Sequence, residues 1–206
     1  MKIIALAQQK GGVGKSTLAI HMAVELVRRG KSTVIIDLDP QGSVLKWAAR
    51  READQPRVVA SEMAQLATTL AAFKAEGIDF VVLDLPGSRA PSVNEGIRSA
   101  DFVVIPARPG DMDIEASATT LATTIRLKKP YAFAMSIAPA RGARTKAFAE
   151  DLEAHGQPVL PVFVIERLAY MDAIAEGLGI TEFETKGRAA TEEIAAFTSA
   201  VLERIK

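Results

Sequence analysis

A chain of 206 residues, 49% of them hydrophobic, suits one α/β domain able to bury a sizeable core. Its 25 Lys and Arg balance 25 Asp and Glu, so the whole-molecule field steers toward neither nucleic acid nor membrane, and such a partner has to be met by a local patch. The absence of cysteine excludes thiolate-held zinc, iron–sulfur clusters and cysteine nucleophiles, and it fits a reducing compartment.

The first predicted element is the strand "KIIALA" (Lys2–Ala7). It is not a signal peptide, because its short apolar run leads straight into glycines rather than to a small-residue cleavage site. A helix is predicted over Lys15–Arg29, then a strand at "STVIIDLD" (Ser32–Asp39), a helix over Ser43–Glu52 and a short strand at "RVVA" (Arg57–Ala60). Next come a helix over Glu62–Glu76, the strand "DFVVLDLP" (Asp79–Pro86), a helix over Pro91–Ala100 and the strand "DFVVIPA" (Asp101–Ala107). The second half reads as a helix over Ile114–Leu127, the strand "YAFAMSIA" (Tyr131–Ala138), a helix over Arg144–His155 and the strand "LPVFVI" (Leu160–Ile165). Two helices, Leu168–Glu176 and Ala190–Ile205, close the chain. The strand runs lack a polar alternate face, as expected of strands buried on both sides. Alternation of this kind predicts a doubly wound, mostly parallel sheet with helices on both faces, whose ligands bind at the carboxyl ends of the strands. With no repeat and no linker, residues 1–206 form one expected domain. No stretch approaches the roughly 18–20 apolar residues of a membrane span, so a cytoplasmic protein is expected.

"GGVGKST" (Gly11–Thr17) lies between a predicted strand and a predicted helix, the context a phosphate-binding loop requires. Glycines let the backbone aim N–H groups at phosphate oxygens, and the helix start adds its positive dipole end. The expected nucleotide set is Gly11, Gly12, Val13, Gly14, Lys15, Ser16 and Thr17. Lys15 would reach the β- and γ-phosphates and the Ser16 hydroxyl would coordinate Mg²⁺. The strict G-x-x-x-x-G-K-[ST] pattern is not met, since Gln9 stands where its first glycine belongs and Lys10 stands beside it. This is the deviant form K-G-G-x-G-K-[ST]. "VIIDLDPQG" puts Asp37 and Asp39 at one strand end and "FVVLDLPG" puts Asp84 at another. Asp84 suits the water shell of the metal, and Asp39 is placed to orient or activate the attacking water and to stand near the ion. Asp37 reads equally well as a cap on the following helix.

In this order, "KGGVGKST…IIDLDPQG…VVLDLPG" resembles the ParA/MinD group of deviant-Walker ATPases, and most of all the short ParA-type (Soj- and ParF-like) partition ATPases. The resemblance covers nearly the whole chain by motif order and length. It implies a Mg²⁺-dependent, slow, partner-stimulated ATPase binding ATP and ADP. In that family the signature lysine crosses to the other subunit of an ATP-sandwich homodimer, and Lys10 stands in its position. Such a cation neutralises phosphate charge only when the dimer exists. The loop "VVIPARPGDMDIEA" resembles the family segment near adenine and ribose, which makes Pro109, Gly110 and Asp111 candidates there.

The family further implies nonspecific DNA binding by the ATP dimer, hence a nucleoid-associated protein, and a cargo-adaptor or centromere-binding partner. Candidate phosphate-neutralising residues are Arg141, Arg144, Lys146, Arg167, Lys186 and Arg188. The first strand begins at Lys2, so the N-terminal DNA-binding extension of the long partition ATPases is not expected. The cargo is open between a plasmid or chromosome and a carboxysome or chemoreceptor cluster. Two alternatives remain. A MinD-like membrane-cycling regulator would use the last helix, whose apolar Ile194, Phe197, Val201, Leu202 and Ile205 face Glu192, Glu193 and Glu203 rather than a cationic surface. That composition favours a helix packed on the body of the domain and no membrane partner. A metabolic ATP-dependent enzyme of the same fold would need a small-substrate pocket.

Overall fold

The computed structural model describes residues 1–87, 91–183 and 187–205, with the side chains of 91, 92 and 111–115 outside that description. Six parallel strands form one sheet in the order β3-β2-β4-β1-β5-β6. They are β1 (Lys2–Leu6), β2 (Thr33–Asp37), β3 (Arg57–Ala60), β4 (Phe80–Asp84), β5 (Phe102–Ala107) and β6 (Tyr131–Met135). The helices are α1 (Lys15–Arg28), α2 (Ser43–Ala48), α3 (Leu66–Ala75), α4 (Pro91–Ser99), α5 (Asp111–Arg126), α6 (Ala143–Ala154), α7 (Leu168–Ala175) and α8 (Arg188–Arg204). Short 3₁₀ turns stand at Met63–Gln65 and Ile180–Glu182.

Alternate residues of each strand feed two cores. Ile4, Leu6, Ile35, Val82 and Val104 pack with Leu18, Met22 and Leu26 of α1 and with Trp47 of α2. Ala5, Ile36, Val81, Leu83 and Ile105 pack with Leu70 and Phe73 of α3, Ile97 of α4 and Leu152 of α6. The chain therefore winds outward from β1 to β3 with helices on one face and returns through β4, β5 and β6 with helices on the other. That is the right-handed solution on both halves, and the reversal at β1 makes a switch point at the carboxyl ends of the central strands.

The C-terminal part differs from the sequence expectation in one respect. Leu160–Ile165 is not a regular strand. It runs beside β6 through isolated bridges, Phe133 to Val159 and Ala138 to Ile165. The Leu160 amide donates to the Phe133 carbonyl at 2.8 Å, and the next such bond to β6 comes only from the Val164 amide to Met135, at 2.9 Å. Between these two bonds the segment advances four residues while β6 advances two, so the register slips and no continuous ladder forms. The helix expected over Ser43–Glu52 also ends early, at Ala48, where Arg50 and Arg51 close a turn on the Trp47 and Ala48 carbonyls. The last helix behaves as its pattern predicts. Ile194, Phe197, Val201 and Ile205 of the α8 segment are buried in the α1 core, and Leu202 packs against it.

Candidate nucleotide-binding site

Register brings the site together. On β4 the residue Asp84 pairs with Leu6 of β1 on one side and with Asp37 of β2 on the other, so the loop after β1 and the two carboxylates emerge at one end of the sheet. The loop then turns through Gly12 (φ 73°) and Gly14 (φ 86°), left-handed conformations that glycine adopts without strain. Gly14 stands at the start of α1 with no side chain to cap it and no acidic residue in the first turn, which leaves the leading N–H groups of a 14-residue helix open to an anion.

These elements wall a crevice of about 740 Å³, lined by Gly11, Gly12, Gly14, Lys15, Ser16 and Thr17 on one side and by Asp39, Lys46, Arg50 and Gly87 on the other. Val13 is buried beneath the loop and contributes backbone only. Lys15 is 7% exposed, and its ammonium donates to the Lys10 carbonyl at 3.3 Å. Burial lowers its pKa, against the opposing pull of Asp84 and Asp39. Lys10 itself is half-buried and flanks the exposed Gly11 and Gly12. One lysine is thus inside the crevice and one stands at its rim.

The carboxylates separate by environment. Asp37 is buried and acts as the cap of α2, its Oδ2 accepting the Val44 and Leu45 amides at 3.0 and 3.1 Å and its Oδ1 accepting the Asp39 amide at 3.1 Å. Burial raises its pKa, and those three backbone bonds hold the rise back. Asp39 closes its own turn by accepting the Gln41 amide at 2.9 Å, while its side chain still lines the crevice. Asp84 is wholly buried, and its Oδ2 accepts the Ser16 hydroxyl at 2.6 Å. Burial pushes its pKa up to about 7, with the Ser16 bond and Lys15 opposing and Asp37 and Asp39 reinforcing.

The other Asp84 oxygen, Oδ1, is buried with no hydrogen-bond partner. An orphaned carboxylate oxygen beside a serine hydroxyl offers hard oxygen donors that suit a magnesium ion, which takes few protein ligands and completes its octahedron with phosphate oxygens and water. Among the described residues no group of three or more His, Cys, Asp or Glu could hold a metal by itself.

A second cavity, of about 240 Å³, adjoins the loop at Gly14 and Thr17 and is walled by Arg108, Ser136, Ile137, Glu166, Tyr170 and Met171. Pro109, Gly110 and Asp111 were candidates for the neighbourhood of adenine and ribose. Pro109 and Gly110 lead from β5 into α5 and are not among the residues lining this cavity, and the Asp111 side chain lies outside the described residues. The residues that do line it carry no motif. Only the topology, which brings the ends of β5 and β6 beside the loop, reveals them.

The basic candidates scatter. Arg141 and Arg144 are exposed at the start of α6, Lys146 is 3.5 Å from Glu150, and Arg188 is 3.1 Å from Glu192. Arg167 differs, because its guanidinium is held by Glu193 through Nε at 3.0 Å and Nη2 at 2.5 Å. Lys186 lies outside the described residues.

A family model described as the CobQ/CobB/MinD/ParA nucleotide binding domain matches residues 4–180. The chain is 32% identical to a maintenance of carboxysome distribution protein A from Halothiobacillus neapolitanus, over 93% of this chain and 92% of that protein. It is 26% identical to a Protein ParA from Rhizobium radiobacter, over 100% of this chain and 98% of that one. Its fold is similar to that of cobyrinic acid a,c-diamide synthase from Mycobacterium smegmatis with bound ATP analog and magnesium (TM-score 0.77, 16% identity, 98% of this chain and 95% of that one). Among the described residues no helix is long and apolar enough to cross a membrane.

Proposed function

The chain belongs to the CobQ/CobB/MinD/ParA nucleotide-binding family and is an ATPase of the ParA type, and from that premise we propose that it positions or partitions a cargo by an ATP-switched grip on DNA. ATP enters the crevice with Mg²⁺. The loop amides and Lys15 bind the phosphates, and Ser16 would hold the ion directly while Asp84 and Asp39 would hold its water. The ion supplies charge neutralisation at the β- and γ-phosphates. Asp39 orients the attacking water, and Lys10 crosses to the phosphates of a second copy, so that ATP joins two subunits and hydrolysis releases them.

The observation that supports this reading is the different placement of the two lysines, Lys15 lining the crevice and Lys10 not among its lining residues. Lys15 is buried in the crevice, so a phosphate-binding cation is already supplied from within one chain. A second lysine at the rim is where a cation serving a neighbouring subunit belongs. Similarity over nearly full length to a carboxysome distribution protein supports cargo positioning as the task. The ATP dimer would meet nucleoid DNA through basic residues pooled from both copies, including Arg141, Arg144, Lys146 and Arg188, in cytoplasm and with an adaptor that stimulates hydrolysis. Arg167 is the weakest of the candidates, because Glu193 already takes its charge.

The test is DNA binding with ATP, ADP and no nucleotide at low and moderate salt, with mass followed in parallel. ATP-dependent binding by a dimer, weakened by salt, is the expected result. A dimer that ignores DNA removes the DNA grip and leaves a protein or membrane matrix, although α8 keeps its apolar residues in the core, which weighs against a membrane role for that helix. A second reading has one observation on its side. A cavity of about 680 Å³ borders Asp37 and Asp39 and is lined further by Ser61, Glu62, Met63 and Gln65, which is room for a small substrate. Absence of any ATP-dependent dimer would favour that metabolic-enzyme reading.

A further inference from the structure

Two residues outside the phosphate loop hold its backbone. Arg108, the residue after β5, donates from Nη2 to the Gly12 carbonyl at 2.6 Å. Ser136, the residue after β6, donates from Oγ to the Val13 carbonyl at 2.7 Å and lies 3.5 Å from the Ala107 carbonyl. Ser136 is 1% exposed, so its bond is closed to water, whereas the Arg108 bond faces solvent. The Ser136 anchor is braced by the next residue. Ile137 takes φ 50°, a left-handed conformation that a β-branched side chain adopts only when its surroundings impose it, and its Cγ1 would lie 3.7 Å from a β-carbon built on Gly14.

The geometry of the peptide unit gives these anchors a purpose. In a planar trans peptide the N–H points opposite to the C=O. Drawing the Gly12 and Val13 carbonyls toward the ends of β5 and β6 turns the Val13 and Gly14 N–H groups away from those strands, into the open mouth of the loop. Two consecutive peptides so fixed, between the left-handed Gly12 and Gly14, form a concave set of donors suited to an anion. Without the anchors both peptide planes would be free to rotate, because glycine imposes no conformation of its own.

We propose that Arg108 and Ser136 are positioning residues that preset the phosphate loop for the β-phosphate of a nucleotide, with no contact between Arg108 and the phosphates. The inference rests on nucleotide binding at this loop and not on dimerisation or DNA binding. It is tested by equilibrium binding of Mg·ADP and of a nonhydrolysable Mg·ATP analogue to the full chain, in the absence of DNA, at two ionic strengths. Removing one net hydrogen bond that organises the site predicts about tenfold weaker binding for Ser136→Ala and about threefold for the solvated bond lost in Arg108→Ala. The factor is the same for both nucleotides and insensitive to salt, and hydrogen exchange at the Val13 and Gly14 amides quickens. Ser136→Thr and Arg108→Lys, which keep a donor, recover most of the affinity. A loss larger for the ATP analogue than for ADP, or one that grows at low salt, would assign Arg108 to direct phosphate contact and overturn the proposal. Unchanged ADP affinity in both alanine variants would overturn it too. Should Ser136→Ala fail to fold, Ser136→Thr and the two Arg108 variants decide the matter alone. A chain that fails the dimer and DNA test yet shows these losses keeps this inference and rejects only the function proposed above.

Discussion

Asp84 makes the nucleotide-free protein less stable as pH rises, and the size of the effect follows from its burial. An ordinary aspartate titrates at 3.8, whereas in the folded chain burial pushes Asp84 up to about 7. Between those values the folded state holds a proton that the unfolded state has lost. The Asp84 contribution to stability is therefore most favourable below pH 4, falls as pH rises toward 7 and levels off above it. Each unit of difference is worth about 1.4 kcal/mol, so a shift of roughly three units amounts to about 4 kcal/mol in all. Between pH 5 and pH 8 the loss is about 2 to 3 kcal/mol. Asp84→Asn keeps the shape and an acceptor for the Ser16 hydroxyl but never ionises. Urea unfolding of the nucleotide-free chain at pH 5, 6, 7 and 8 should show the variant gaining on the wild type by that amount across the range. Parallel pH profiles for the two proteins would refute the reasoning, since Asp84 would then not be the group that titrates. Asp37, also raised by burial, is present in both proteins, and because it is coupled to Asp84 the difference between the two profiles reports the pair.

Under the proposed function, Lys10→Ala binds Mg·ATP and Mg·ADP as the wild type does but forms no stable ATP dimer in light scattering. A normal dimer with normal turnover would remove the trans role. Asp39→Ala accumulates an ATP-loaded dimer on DNA, read as slow release on gel shift, and brisk ATP turnover by that variant would show the water is oriented by another group. Glu193→Ala should destabilise the fold by about 2 to 3 kcal/mol in urea unfolding, because it leaves the Arg167 guanidinium, the Ile165 amide and one bond of the Tyr170 hydroxyl without their common acceptor. A change below about 0.5 kcal/mol would mean that water replaces the carboxylate at little cost.

How much of this was legible in the sequence depended on whether the signal was local. The strands of the sheet read clearly because they are apolar without alternation, and the loop from Gly11 to Thr17 read clearly because its glycines and lysine are adjacent. Leu160–Ile165 misled for the same reason that the others succeeded. Its composition is that of a buried strand, but its register on β6 slips by two residues, and composition does not count hydrogen bonds. Asp39 was preferred over Asp37 for the attacking water, but whether Asp37 was a cap stayed open, and only its bonds to the first amides of α2 show that it is. Arg108 and Ser136 were invisible. Nothing in "VVIPARPG" or "AMSIAP" marks them, because their partners are carbonyls 96 and 123 residues away. Arg167 was visible as a basic residue, but Glu193, which takes its charge, lies a helix further on.

The same distances explain why folding and readiness to bind are one property here. The loop alone has two glycines in left-handed conformations and no internal reason to hold them. Its shape is imposed from outside, by Ser136 and Arg108 through the carbonyls, by Asp84 through Ser16 and by Leu6 through the register of β1 on β4. These anchors sit at the carboxyl ends of four neighbouring strands, from β4 through β1 and β5 to β6 at the sheet edge, so the sheet must close in its observed order before any of them can act. The buried charges sharpen the dependence. Lys15 is pushed toward losing its proton and Asp84 toward keeping one, each by burial, so the site opposes the charged form of both groups. A phosphate beside Lys15 and a divalent cation beside Ser16 would each relieve one side of that mismatch. Part of the nucleotide's affinity therefore comes from relieving a burial cost that folding has already imposed on the site.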